Sequence, residues 1–335
     1  MRIQLEIILK YDLEEITKAL LEGDLSYLSR SITLIESTSD NHFKLGQDIL
    51  EKVLDKTGNS IRIGITGPPG VGKSTLIDIL GLHYCELGYR TAVLAIDPSS
   101  KVSGGSILGD KTRMTALAQH KNSYIRPTPS SGMLGGTASR TKESILLCEA
   151  AGFERIIVET VGIGQNEINI ASIVDVLVML LNPGSGDELQ GIKRGILEVS
   201  DILAINKADT KDSLVNNTVL EYKNAVRILN YDKEFWRRKV IKISALDGTN
   251  LETLANAIDS FCKVSKETGF FENNRTEQES ERLIEILKEE VLKKAFQNKD
   301  FEAKYNNIIE RIKNKQTTAI KGVMELLNDA NSGSN

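Results

Sequence analysis

A short glycine-rich run, Gly67–Thr75 (GPPGVGKST), constrains the fold more than any other part of the chain. It follows Ile61–Thr66, an apolar segment typical of a buried strand, and it precedes a stretch with apolar residues at helical spacing. A glycine-rich turn between a strand and a helix directs backbone N–H groups and the positive helix end toward phosphate oxygens. The run therefore predicts a phosphate-binding loop in an α/β protein.

The residues of this loop are candidate nucleotide contacts: Gly67, Pro68, Pro69, Gly70, Val71, Gly72, Lys73, Ser74 and Thr75. We expect Lys73 to reach the β- and γ-phosphates, which makes it a catalytic candidate. The Ser74 hydroxyl is expected to ligate Mg²⁺. A glycine-rich turn without a ligand is the weaker interpretation, because the loop lies between a strand and a helix.

The middle of the chain alternates strand-like and helix-like segments. Nearly continuous apolar runs are typical of parallel strands buried on both faces, and the helical segments between them have crossover length. The candidate strands are Ile61–Thr66, Thr91–Ile96, Arg155–Thr160, Val174–Leu181, Asp201–Asn206 and Val240–Ile243. We predict an α/β fold of the P-loop NTPase kind, a doubly wound and mostly parallel sheet with helical extensions at both ends.

The mixed-charge helical flanks predict a division of the chain. The predicted parts are an N-terminal helical extension (1–59), a P-loop domain (60–262), a C-terminal helical extension (263–330) and a disordered tail (331–335). The C-terminal extension carries an apolar stripe: Leu283, Ile286, Leu287, Val291 and Leu292. Such stripes on the flanks pack either on the central domain or against a second copy or partner, and the sequence leaves both open.

A second motif, Asn206–Asp209 (NKAD), follows a later buried strand. The Asp209 carboxylate can accept hydrogen bonds from the N1–H and N2–H₂ groups of guanine, whereas adenine offers no such pair of donors. The Lys207 stem can cover the base, and Asn206 can tie neighbouring loops together. Backbone N–H groups in the next loop can meet guanine O6, at Ser244, Ala245 and Leu246. We therefore predict that the protein binds GTP and GDP rather than ATP. The alternative interpretation, a surface loop in which Asp209 only caps a helix, is less favoured.

Acidic residues at strand ends are candidate metal and switch contacts. Asp97 ends the second strand, where it can hold Mg²⁺ directly or through water. Asp110 lies in the next stretch, 101–114, whose adjacent glycines and charged residues predict a mobile segment. The alternative role of Asp110 is to cap a helix. Glu159 and Gly162 stand where GTPases usually carry Asp-x-x-Gly, so Gly162 can meet the γ-phosphate and Glu159 the metal shell.

The position after Gly162 is Ile163, which cannot orient the attacking water as a glutamine does. Gln165 lies two residues further along. We therefore predict slow intrinsic hydrolysis unless Gln165, another switch residue or a partner orients the water.

Composition excludes several function classes. The net charge of −4 over 335 residues argues against a nucleic-acid coat, and no apolar run approaches the roughly 18 residues of a membrane span. Cys85, Cys148 and Cys262 are far apart, without metal-ligand spacing, which fits a reducing compartment. The N-terminal residues include several acids and no signal peptide, so bacterial cytoplasm is favoured over mitochondrial matrix.

Several motifs together resemble the MeaB/ArgK-type P-loop GTPases, bacterial relatives of the human methylmalonic aciduria type A protein. They are GPPGVGKST, IDPSS, GGSILGDKTRM, LLCEAAGF, ETVGIGQNE, GDELQGIKRGI and NKAD, within about residues 40–262. The resemblance implies a homodimeric GTPase that chaperones adenosylcobalamin-dependent methylmalonyl-CoA mutase. Its expected role is to gate cofactor loading and to protect or reactivate that enzyme, which itself would hold the cobalamin.

The resemblance also implies residue roles. Three segments would be nucleotide-responsive switches: Gly104–Met114, Glu159–Gln165 and Asn182–Lys193. Asp97 and Asp110 would take Mg²⁺-associated roles, and Glu159 and Lys193 would form a switch ion pair. The alternatives are a metal-insertion GTPase, disfavoured by the cysteine spacing, a small-molecule kinase, which needs no guanine reader, and a binding module without hydrolysis.

Overall fold

A computed structural model describes residues 13–97, 114–129, 136–160, 170–184, 194–210, 212–229 and 232–332. Within these ranges seven strands form one parallel sheet in the order β3-β2-β4-β1-β5-β6-β7. The strands are β1 (Ile61–Thr66), β2 (Thr91–Asp97), β3 (Ser123–Pro129), β4 (Arg155–Glu159), β5 (Val176–Leu181), β6 (Ile202–Ile205) and β7 (Lys239–Lys242). The predicted α/β, doubly wound fold is confirmed.

Twelve α-helices lie before, between and after the strands in the described part of the chain. Their bounds are α1 (Leu13–Leu21), α2 (Leu25–Glu36), α3 (Asp40–Val53), α4 (Lys73–Glu86), α5 (Thr115–Gln119), α6 (Gly136–Ala150), α7 (Arg194–Val199), α8 (Asp212–Leu229), α9 (Leu251–Glu267), α10 (Phe270–Gln297), α11 (Lys299–Lys313) and α12 (Ala319–Ser332). β1 lies in the middle of the sheet, between β4 and β5. Ligands of such sheets bind beyond the carboxyl ends of the strands, where the strand order reverses.

Three apolar clusters explain why these segments fold together, and the third of them joins α7 and α8 to β5 and β6. The first joins α4 and α9 to the sheet and includes Ile63, Ile65, Leu76, Leu80, Val178 and Phe261. The second joins α1–α3 and α6 to the sheet and includes Ile16, Leu20, Leu28, Ile32, Ile49, Leu94 and Val158. The apolar stripes of the N-terminal helices are therefore buried within the same compact unit as the sheet.

The third strand was not predicted from the sequence. Pro127 and Pro129 interrupt its pattern, because a proline has no N–H to contribute to a ladder. Among the described strands, β3 pairs only with β2 and forms an edge of the sheet, a position at which such prolines are tolerated. The predicted strands agree with the observed ones to within two residues at each end.

A buried cluster of charges lies at the amino ends of the strands, opposite the predicted phosphate loop. Arg62 donates two hydrogen bonds of 2.9 Å to the carboxylate of Glu149. Arg275, in the first turns of α10, donates two of 2.7 Å to Asp175. Burial alone would raise the pKa of Glu149. The hydrogen bonds and positive charge of Arg62 have a larger, opposite effect, so the pKa of this carboxyl group lies below its ordinary value of 4.5.

The chain divides into two compact units, residues 1–278 and 279–335. In the second unit, Ile308 of α11 packs on Gly322 of α12, and Arg311 pairs with Glu325 at 2.7 Å. The last helix includes Asn331 and Ser332, which belong to the predicted disordered tail, and residues 333–335 lie outside the described ranges. The predicted boundaries at 59/60 and 262/263 stay a prediction. No helix in the described ranges is long and apolar enough to cross a membrane.

Candidate active site

The glycine-rich run forms the turn between β1 and α4. Gly67, Gly70 and Gly72 all have positive φ, at 144°, 71° and 99°, which strains other residues. A Cβ on Gly67 would lie 2.4 Å from the Leu180 carbonyl oxygen, and one on Gly72 would lie 2.4 Å from Asn206 Nδ2. Both glycines are therefore required by backbone shape and by close neighbours. The backbone of this turn runs directly into the N-terminus of α4, where free N–H groups can bind phosphate.

Lys73 is the first residue of α4 and is almost completely buried. Its ammonium group donates hydrogen bonds to the carbonyl oxygens of Gly67, at 2.8 Å, and Pro68, at 3.2 Å. The side chain thus lies across the loop instead of extending into solvent. Pro69 and Thr75, by contrast, are exposed. A phosphate held by the loop N–H groups would meet a fixed positive charge at Lys73.

The end of β4 is joined to the phosphate loop by two side-chain hydrogen bonds. Ser74 donates to Glu159 Oε1 at 3.0 Å, and Thr160 donates to the hydroxyl of Thr66 at 3.0 Å. No sequence pattern predicts the second bond, because a threonine at a strand end looks like any other strand-forming residue.

The donor set beside the loop fits Mg²⁺. Ser74 and Glu159 present hydroxyl and carboxylate oxygens, the ligand type of this hard cation, which usually takes one or two protein ligands together with phosphates and water. Asp97 is the last residue of β2, and β2 pairs with β4 through Ala95 and Glu159. The backbone of Asp97 therefore lies at the carboxyl end of the strands, near Glu159. Within the described ranges no group of three or more histidine, cysteine or acidic side chains could hold a metal.

Asn206 connects the phosphate loop to the predicted base loops. It is buried after β6, and its amide nitrogen donates to the Val71 carbonyl at 2.7 Å. Its amide oxygen accepts from the backbone N–H of Ala245 at 2.9 Å. One side chain therefore fixes three loops relative to one another, and both ends of its amide group are used.

Ser244 connects the loop after β7 to the predicted guanine-binding loop, Asn206–Asp209. Its buried hydroxyl donates to Asp209 Oδ1 at 2.7 Å, and the N–H of Ala208 donates to the Ile243 carbonyl at 2.9 Å. Asp209 itself is exposed, so its carboxylate is open to a ligand. The sequence predicted only a backbone role for Ser244, and nothing in the pattern indicated this side-chain bond.

Two further residues of these loops are exposed or strained. Lys207 has a left-handed backbone, with φ of 61°, a conformation that costs energy for a residue with a side chain. Leu246 is 78% exposed, so it does not belong to the core. Four predicted site residues lie outside the described ranges: Asp110, Gly162, Gln165 and Lys193.

Comparison with known proteins gives consistent matches along the chain. The family model for the methylmalonyl-CoA mutase-associated GTPase MeaB matches residues 28–300. The GTPase ArgK of Escherichia coli is 40% identical over 316 residues, covering 94% of this chain and 95% of ArgK. The mitochondrial methylmalonic aciduria type A homolog of Mus musculus is 42% identical over 285 residues, covering 82% of this chain and 68% of that protein.

A solved structure agrees in fold as well as in sequence. A LAO/AO transport system kinase has a TM-score of 0.78 and 33% identity, covering 95% of this chain and 97% of that one. The family model spans both the phosphate loop and the predicted base loops that Asn206 joins. The chain is a GTPase, and it belongs to the MeaB family of methylmalonyl-CoA mutase-associated GTPases.

Proposed function

We propose that this GTPase binds GTP with Mg²⁺ and uses hydrolysis to serve an adenosylcobalamin-dependent methylmalonyl-CoA mutase. In this role it gates loading of the cofactor and protects or reactivates the mutase. The observation that carries the proposal is the bond network of Asn206, which joins a phosphate loop to a guanine loop in a chain of this family. The bacterial cytoplasm remains the predicted location.

The proposed chemistry is an in-line attack of water on the γ-phosphate. Lys73 and the loop N–H groups stabilise the charge that develops on the phosphate oxygens. Ser74, Asp97 and Asp110 would hold Mg²⁺, which neutralises phosphate charge when it is bound. Glu159, hydrogen-bonded to Ser74, orients the hydroxyl of that residue.

The groups that respond to the γ-phosphate are proposed on sequence grounds. Gly162 would contact the γ-phosphate, and Lys193 would pair with Glu159 in one nucleotide state. Gln165 or a group from the partner would orient the water, since Ile163 cannot. Slow turnover by the isolated protein follows from this arrangement.

The partner assignment is tested by measuring GTP turnover with and without purified adenosylcobalamin-dependent methylmalonyl-CoA mutase. We expect turnover to rise about 10-fold or more, since a group supplied by a partner can raise GTPase rates by ~10³–10⁵. Lys73→Ala, combined with the mutase, is the control for contaminating hydrolysis. Unchanged turnover together with no detectable complex would contradict the mutase role.

We further propose that the protein is a homodimer and that α10 contributes to the interface. Several apolar side chains of this helix are exposed: Leu283 (68%), Leu287 (58%), Val291 (56%) and Leu292 (56%). A contiguous apolar surface of this kind is typical of a protein interface. The alternative occupant of the surface is the mutase itself.

Sedimentation velocity of Leu287→Asp tests the dimer. The buried charge is expected to shift the protein to monomer at micromolar concentration, because an unpaired charge is costly in an apolar interface. Lys288→Asp introduces the same side chain at the next position of α10 and is the matched control. A dimer that survives Leu287→Asp, or a wild-type monomer, would contradict the proposal.

A further inference from the structure

We infer that Thr160 is a positioning residue for GTP, acting through its hydroxyl bond to Thr66. In this role it sets the point from which the chain leaves β4 toward the γ-phosphate, and so contributes to the distinction between GTP and GDP. The inference rests on the proposed contact of Gly162 with the γ-phosphate. It adds a residue pair that has no part in the chemistry described above.

The position of Thr160 is held by both its backbone and its side chain. Its N–H donates to the Ile65 carbonyl at 3.1 Å, which extends the pairing of β4 with β1 by one residue. Its hydroxyl lies 3.0 Å from that of Thr66, the last residue of β1. Both threonines are buried: Thr66 is 0% exposed and Thr160 is 2% exposed. Thr160 is therefore tied to the strand that enters the phosphate loop.

The neighbouring bond makes the arrangement two-sided. Glu159 accepts from Ser74, at the far end of the phosphate loop, while Thr160 bonds to Thr66, immediately before that loop. Two successive residues thus hold the two ends of one loop. A displacement of the carboxyl end of β4 would therefore change its distance from phosphates bound in the loop.

Gly162 follows Thr160 by only two residues, so a fixed Thr160 narrows the space that the Gly162 N–H can reach. Hydrogen bonds of N–H groups to oxygen need about 2.7–3.2 Å and weaken steeply when misaligned. A bond to the γ-phosphate is made with GTP and is absent with GDP. Loosening Thr160 should therefore weaken GTP binding while leaving GDP binding nearly unchanged.

The two hydroxyl groups allow a variant pair that separates positioning from stability. Thr160→Val removes one partner and leaves the buried Thr66 hydroxyl without this bond, which is expected to lower the melting temperature. Thr66→Val with Thr160→Val replaces both partners by groups of the same shape, which is nearly neutral for stability. Thr160→Ser retains the hydroxyl and is the conservative control.

The experiment is calorimetric titration of the full-length protein with GDP and with a non-hydrolysable GTP analogue in the presence of Mg²⁺. For Thr160→Val and for the double variant we expect GDP affinity within about twofold of wild type. Affinity for the analogue should fall about 10-fold, the equivalent of one net hydrogen bond. Thr160→Ser should behave as wild type.

A double variant with the wild-type ratio of analogue to GDP affinity would overturn the inference, and so would an equal loss for both nucleotides. Gly162→Pro, which removes the backbone N–H itself, distinguishes the sources of failure. If this change weakens analogue binding while the double variant does not, the Gly162 contact stands and Thr160 has no positioning role. If it leaves analogue binding unchanged, the Gly162 assignment fails, and the inference fails with it.

Discussion

Asp209→Asn is expected to exchange guanine for xanthine as the preferred base. The Asp209 carboxylate can accept from both N1–H and N2–H₂ of guanine, whereas an asparagine amide sets its own NH₂ donor against one of these donors. Xanthine has a carbonyl at C2, which accepts from that NH₂, and retains the N1–H. Hydrogen bonds to charged groups contribute about 1.5–3 kcal/mol each, so guanine affinity should fall about 10²–10⁴-fold.

The structure adds that the swap should leave the loop in place. Ser244 donates to Asp209 Oδ1 at 2.7 Å, and an asparagine oxygen can accept the same bond. Calorimetric titration with GDP and with the xanthosine diphosphate is the measurement. Asp247→Asn is the matched control, because Asp247 is an exposed carboxylate three residues after Ser244, engaged with the Thr249 N–H. Retention of GDP preference by Asp209→Asn would contradict the guanine assignment.

Arg275→Met is expected to lower the free energy of unfolding of the first unit by about 3–5 kcal/mol, the typical cost of removing one partner from a buried ion pair. Asp175, whose side chain is only 2% exposed, would lose both of its bonds to the guanidinium. The carbonyl oxygens of Gly58 and Ser60 would lose their donors as well, at 2.7 and 2.9 Å. The same change frees the first turns of α10 from the amino end of β1.

Denaturant titration followed by fluorescence is suited to this measurement, because the single tryptophan, Trp236, is buried in the first unit. Lys263→Met is the matched control: Lys263 belongs to an exposed pair with Glu267, at 4.0 Å, and should leave the midpoint nearly unchanged.

A second variant tests the cause of the loss. Arg275→Met combined with Asp175→Asn should recover part of the stability, because no uncompensated charge remains buried. Equal effects of Arg275→Met and Lys263→Met would show that the buried pair does not hold the unit together. No recovery in the double variant would instead assign the loss to the bonds with Gly58 and Ser60.

Some of the fold was predictable because the signals are local. Ile61–Thr66 is a strand with the predicted bounds, and the helix after the glycine-rich turn begins at Lys73. A continuous apolar run, glycines with positive φ and a helix start each depend on neighbouring residues alone. β3 was missed because its prolines argue against a central strand but are acceptable at a sheet edge, and the position of a strand in a sheet is not a local property.

The sequence by itself determined six of the seven strands, the phosphate loop and the preference for guanine, since each depends on residue types in short, ordered runs. Only the tertiary structure decided how these parts are joined. Asn206 and Val71 are 135 residues apart, Thr160 and Thr66 are 94 apart, and Arg275 and Asp175 are 100 apart. A hydrogen bond depends on where the sheet brings two groups and in which direction they point. A threonine or an asparagine in a sequence does not specify its partner, and the fold supplies that partner.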